Sequence, residues 1–240
     1  MSDPGAAYVE VRQRLSALVS SLTHEQLAAP VPACPGWSVQ DVVAHHTAVA
    51  RELADGVLRE LRDAARLLDQ RVDLEVARDR DAMTARQVAE RRGRSVEQVL
   101  QEWATATDRL APMLRGEQPF ADSIGVVGGV VAINDVVVHE GDVHEALGLE
   151  QPPEVHATSL ALAGYGFSLD RRVTRAGLPA LAFGYDGKQR AFGEGAPQAT
   201  VRADRTTLVR MLASRLTPEQ ICALDWDGDP KPYLATIPEY

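Results

Sequence analysis

Two short stretches about ninety residues apart concentrate the metal-binding side chains of this 240-residue chain. The first is Trp37-Ser38-Val39-Gln40-Asp41-Val42-Val43-Ala44-His45-His46, and the second is Asp135-Val136-Val137-Val138-His139-Glu140-Gly141-Asp142-Val143-His144. In each, imidazoles and carboxylates interrupt an apolar run of helical period, and such groups are costly to bury unless paired or bound to a metal. Residues four apart share a helix face, so Asp135 and His139 lie on one stripe with Asp142 three further on. Joined by His45 from a second helix, Asp135 and His139 make a nitrogen–oxygen set of three with a position left open, the arrangement of catalytic rather than structural zinc. Asp142 is then placed to accept the second ring N–H of an imidazole and orient it. Glu140 and His144 repeat the same spacing about 100° around the helix axis, and His46 stands one step round from His45. Spacing does not choose between the sets. Asp41 also reads as a helix cap, and Trp37 as core or pocket wall.

These groups need long helices to bring them together. The sequence predicts a first helix over 4–22 with Pro4 in its first turn, and a short one at 23–27 whose Thr23 and Gln26 have capping-box spacing. Ser38 with Asp41 opens the next, predicted to run to about Leu68. The charged stretch 69–94 reads as a connection with one short exposed helix at 84–91 that adds little core. Ser95 with Gln98 starts a third long helix ending near Leu114, with Val96, Val99, Leu100, Trp103 and Leu110 as its apolar stripe. A fourth is expected over 124–147, weakened at its start by Gly125, Gly128 and Gly129 and closed by Gly148 as a left-handed cap. Four such helices predict an antiparallel bundle.

After Pro152-Pro153 a fifth helix, 155–176, leads into segments of another kind. Residues 180–185, 189–192 and 199–201 read as short strands divided by Asp186-Gly187 and Gly193-Glu194-Gly195, followed by helices at 204–215 and from Thr217-Pro218. The expected class is mainly α: a bundle domain over 1–150 followed by a smaller α+β domain over 151–240.

Bulk properties narrow the partners. A net charge of −9 without a clustered basic surface argues against nucleic acid, and the arginine-rich runs 86–94 and 171–175 read as solvated faces. An apolar content of 45% supplies a core without staples. No apolar run approaches the ~18 residues that span a bilayer, and no basic-then-apolar export signal opens the chain, so a cytoplasmic protein that avoids membranes is expected. Cys34 and Cys222 then remain thiols. Cys34 precedes a helix entrance, where a dipole can lower a thiol pKa, although a structural role is the plainer reading.

The segments Cys34-Pro35-Gly36-Trp37-Ser38-Val39-Gln40-Asp41-Val42-Val43-Ala44-His45 and Asp135-Val136-Val137-Val138-His139-Glu140-Gly141-Asp142-Val143, with the ending Trp226-Asp227-Gly228-Asp229-Pro230, resemble the mycothiol-dependent maleylpyruvate isomerase family. That family lies within the DinB-like four-helix metalloproteins, and the resemblance covers nearly the whole chain. It implies His45, Asp135 and His139 as the metal ligands, in preference to Glu140 and His144. The isomerase branch carries glutamate at the position of Asp135. The resemblance further implies zinc or another divalent ion that binds the thiol of mycothiol, the low-molecular-weight thiol of actinobacteria, and holds it as thiolate. In the isomerase branch that thiolate adds to an activated double bond, permits rotation and leaves; other members resemble thiol S-transferases.

The expected function is therefore a mycothiol-dependent transferase or isomerase acting on a small electrophile, as a monomer or homodimer. Arg202, Arg205 and Arg210 are candidates for meeting an anionic group on thiol or substrate, or else surface residues. Two other classes fit the same residues: a hydrolase in which the metal activates water, and a non-catalytic binding or regulatory module that holds metal weakly.

Overall fold

Cap chemistry sets where the helices begin. In the computed structural model, which describes residues 3–57, 74–125 and 127–237, α1 (Pro4–Ser20) starts where the Asp3 carboxylate accepts the Ala6 N–H at 2.8 Å. Capping boxes open α2 (His24–Leu27) with Thr23 and Gln26, and α3 (Val39–Asp55) with Ser38 and Asp41. The expected continuation of α3 to Leu68 is not what forms: the helix ends at Asp55 because Gly56 takes the left-handed conformation, φ +72°. The rest of that expected helix lies outside the described residues.

The charged stretch that follows differs from expectation. Instead of one short exposed helix, α4 (Leu74–Ala89) runs sixteen residues and packs on α3. Met83, Gln87, Val88 and Arg91 are buried there, so a segment of mostly charged composition still turns one face to the core. Arginines at its end are paired: Arg91 and Arg94 both bond Glu102, which also meets Arg51, and against the opposing effect of burial together they hold Glu102 below the usual carboxylate range.

Next come α5 (Val96–Leu114), opened by the Ser95–Gln98 capping box, and α6 (Val127–Ala146). Helices α1 and α3 each pack against both α5 and α6, which closes a four-helix bundle, as expected. Its core is the apolar stripe of each helix: Tyr8, Val11 and Leu15, then Val39, Val42, Val43 and Leu53, then Val99, Trp103 and Leu110, then Val136 and Val143. Across it, Arg14 on α1 grips Glu140 on α6 with two bonds of 2.7 and 2.6 Å. Gly128, near the start of α6, is a packing glycine, because a Cβ there would fall 2.5 Å from Ile124 Cγ2 and 2.9 Å from the Phe120 ring.

The chain divides into compact units Met1–Ala157 and Thr158–Tyr240. The second is built on α7 (His156–Arg175), β1 (Leu181–Tyr185), β2 (Lys188–Phe192), β3 (Ala199–Arg202), α8 (Arg205–Leu212), α9 (Pro218–Cys222), β4 (Asp225–Asp227) and α10 (Lys231–Leu234). The sheet order is β2-β1-β3-β4, with β1 antiparallel to β2 and parallel to β3, and β4 antiparallel to β3. Asp186-Gly187 turns β1 into β2 with both residues at positive φ, the twist a tight hairpin needs. Strand β4, which sequence patterning did not reveal, is three residues long and followed by Gly228, where a Cβ would stand 2.7 Å from the Gln198 carbonyl oxygen. Among the described residues, no helix is long and apolar enough to cross a membrane.

Candidate metal centre

The loop before α3 shapes one wall of the site. Cys34-Pro35-Gly36-Trp37 is a turn closed by the Trp37 N–H on the Cys34 carbonyl at 3.0 Å, with proline and then a glycine at φ +82°, the residues that a type II turn requires. A further bond from the Val31 N–H to the Trp37 carbonyl, 2.9 Å, ties the loop to itself. The Trp37 ring consequently stands 5.0 Å from the His45 ring and 6.1 Å from that of His139.

Helices α3 and α6 supply the donors. His45 Nε2 lies 3.0 Å from Asp135 Oδ1, and His139 Nε2 lies 3.6 Å from the same oxygen. These three residues each offer a ligand atom within 4.8 Å of the others. Both imidazoles are anchored through their other nitrogen: His45 Nδ1 contacts Gln87 Oε1 at 2.9 Å, and His139 Nδ1 contacts Asp142 Oδ2 at 2.9 Å. Since amide oxygen and carboxylate only accept, each Nδ1 carries the proton, and each Nε2 has a lone pair free for a cation once its own proton is shed. Two such nitrogens and one carboxylate oxygen match the donor set of a catalytic zinc site; the residues present fit a divalent ion.

The electrostatics follow from burial and pairing. Burial opposes charge on Asp135, but the neighbouring His45, the hydrogen bonds from His45 and His46, and His139 hold its carboxyl well below the usual range. Burial likewise opposes charge on His139, and is outweighed by its bonds to Asp142 and Cys34 and by the charge of Asp135, so that imidazole is pushed well above its ordinary value. For His46 burial dominates and brings it down to about 4 despite its bond to Asp135.

The rival set is elsewhere engaged. Glu140 is buried in its pairing with Arg14, and His144 Nδ1 meets the Glu150 carbonyl at 2.6 Å. Asp41 is the returning member of the capping box that opens α3, with its Oδ2 accepting the Ser38 N–H at 3.0 Å. In the second unit, Arg202 lies 3.7 Å from Asp227 and Arg205 pairs with Asp186.

Three features lay beyond sequence reasoning. Gln87 comes from the stretch expected to be exposed, and Glu52, which accepts the Gln87 amide N–H at 2.8 Å while pairing with Arg86, carried no motif. His46 reaches the same aspartate as His45, through Oδ2 at 3.0 Å. Cys34 Sγ is 3.5 Å from His139 Nδ1 and 3.8 Å from Asp142 Oδ2, so Cys34, His139 and Asp142 form a second cluster of donor atoms within 4.8 Å. That cluster requires the Nδ1 which Asp142 already engages, and the His45–Asp135–His139 set does not. Only the helix entrance position of Cys34 was visible beforehand.

Comparison with known proteins bears on the whole chain. The family model described as the mycothiol maleylpyruvate isomerase N-terminal domain matches residues 8–146. Two solved structures of the mycothiol-dependent maleylpyruvate isomerase, one of them a histidine-to-alanine variant, each superpose with a TM-score of 0.55 at 12% identity, covering 99% of this chain and 95% of that one. At that identity the likeness is one of fold. No curated protein matches the sequence.

Proposed function

The chain belongs to the mycothiol maleylpyruvate isomerase N-terminal domain family, and on that premise we propose that it is a metal-dependent enzyme that uses mycothiol to conjugate or isomerise a small electrophile. The observation that carries the reading is the convergence of His45, Asp135 and His139, from two helices, on a common point. A divalent cation held by these three, zinc by the chemistry of the donors, supplies a Lewis acid that lowers the pKa of a thiol brought to it.

The residues themselves prepare the site. Gln87 and Asp142 fix both imidazoles with Nε2 inward, so no ring has to reorient when a ligand arrives. Trp37 lies beside both rings and presents an apolar wall that limits access of water to them. In the proposed reaction the mycothiol sulfur adds to an activated carbon. In the isomerase mode, rotation about the resulting single bond and departure of the thiol complete the turnover; in the transferase mode the adduct gains a proton, or with an alkylating electrophile the leaving group departs with its bonding electrons, and the conjugate is the product.

The test uses protein purified without an affinity tag. Elemental analysis is expected to find one divalent ion per chain, or one taken up on adding zinc, and thiol consumption or isomer formation with maleylpyruvate and alkylating electrophiles is expected to need both zinc and mycothiol. Failure to bind any divalent ion overturns the proposal. Turnover that continues without thiol would instead support the water-activating hydrolase.

A further inference from the structure

The two oxygens of Asp135 have different surroundings. Oδ1 faces His45 Nε2 at 3.0 Å and His139 Nε2 at 3.6 Å, whereas Oδ2 faces His46 Nδ1 at 3.0 Å. An ionised carboxylate is an acceptor only, so the hydrogen of the His46 ring sits on Nδ1; a lone pair there would point at another lone pair. The opposite nitrogen, Nε2, is buried and has no hydrogen-bond partner among the described residues, as suits a nitrogen without a proton to place.

Packing holds the ring in its plane. It is 1% exposed and stacks on Trp103 with centroids 5.1 Å apart and planes 8° from parallel. Trp103 is itself fixed by its Nε1–H bond to the Tyr8 hydroxyl at 3.0 Å. A rigid donor therefore occupies one oxygen of a side chain whose other oxygen belongs to the candidate metal centre.

We infer that His46 is a positioning residue for the metal centre: its Nδ1–H engages Asp135 Oδ2 and leaves Oδ1 as the single carboxylate donor beside His45 and His139. The inference rests on the metal-centre reading above. A free aspartate can bind a divalent cation through one oxygen or through both. With one oxygen held, the coordination number stays low and a position remains open for an exogenous thiol.

Zinc affinity measured by competition with a chromogenic chelator tests this on the full chain, with circular dichroism confirming the fold of every variant. His46→Leu and His46→Phe remove the N–H, the latter keeping a ring against Trp103; His46→Asn keeps an N–H close to the position of Nδ1. Zinc binding is expected to weaken about 10–100-fold in the first two, the usual effect of losing an outer hydrogen-bond partner, and to stay within a few-fold of wild type in His46→Asn. Cobalt-loaded His46→Phe is also expected to show weaker visible d–d bands, because a released carboxylate that binds through both oxygens raises the coordination number. Wild-type affinity in either folded donorless variant, or equal losses in all three, overturns the positioning role while leaving the metal centre standing. Absence of zinc binding by the wild type removes the metal centre and the role together.

Discussion

Gln87 on α4 accepts a hydrogen bond from His45 on α3 at 2.9 Å while donating one to Glu52 at 2.8 Å, with both Gln87 and Glu52 buried. Glu52 needs a donor, so the Gln87 amide nitrogen turns toward it and the amide oxygen toward His45. Arg86 then meets the other Glu52 oxygen at 2.8 Å. A chain of oriented groups thus selects which His45 nitrogen can face Asp135.

Substituting Gln87 by methionine removes both ends of this link at similar volume. Zinc affinity is expected to fall about 10–100-fold, the range for outer partners of a ligating imidazole. Competition with a chelator at fixed pH measures it. Undiminished affinity would mean that His45 is oriented by packing alone.

Local chemistry was the legible part of this fold. Ser38–Asp41, Ser95–Gln98 and Thr23–Gln26 are capping boxes within four residues, and each opens a helix as expected. Gly148, at φ +64°, closes α6 in the same local way. What patterning could not supply is tertiary. The buried face of α4 depends on pairings with distant partners, and Gln87 acquires meaning only from the histidine opposite it. Spacing also framed His45 and His46 as rivals, whereas a carboxylate with two oxygens engages both, although they point about 100° apart on α3. The helix expected to run to about Leu68 ends at Asp55 because Gly56 takes the left-handed conformation, a local stop that the helical period does not reveal.

The face assignment on α6 has a direct consequence. His139→Ala is expected to abolish stoichiometric zinc binding, because Nε2 of that ring is one of the three converging donors. His144→Ala is expected to leave it intact, since that ring bonds the Glu150 carbonyl. Elemental analysis of the two variants decides, and the reverse order would move the site to the other face.

Stability of the metal-free protein should depend on pH with two limbs. His46 has a folded pKa of about 4 against an ordinary 6.5, so the unfolded chain takes up its proton first. Its contribution is full above 6.5 and is lost as pH falls toward 4, with a slope of up to about 1.4 kcal/mol per unit. His139 runs the other way: its folded pKa is raised, so its contribution is full below 6.5 and is lost as pH rises through the folded value. Urea unfolding across pH in the presence of a chelator should show maximal stability between the limbs. His46→Asn is expected to flatten the acid limb and His139→Asn the alkaline one; unchanged limbs would contradict the assignment.

The Arg14–Glu140 pair joins α1 to α6, with the Glu140 side chain 2% exposed and that of Arg14 26% exposed. Removing only the guanidinium strands a buried carboxylate, so Arg14→Met is expected to destabilise the bundle by about 2–3 kcal/mol, at or somewhat below the range for breaking a wholly buried pair because Arg14 reaches solvent. Replacing both residues by methionine should recover most of that loss, since the desolvated charge disappears with its partner. Chemical denaturation of the two variants gives the comparison. A double variant no more stable than Arg14→Met would show that the stranded Glu140 charge is not what destabilises the single variant, and that the pair itself contributes net stability.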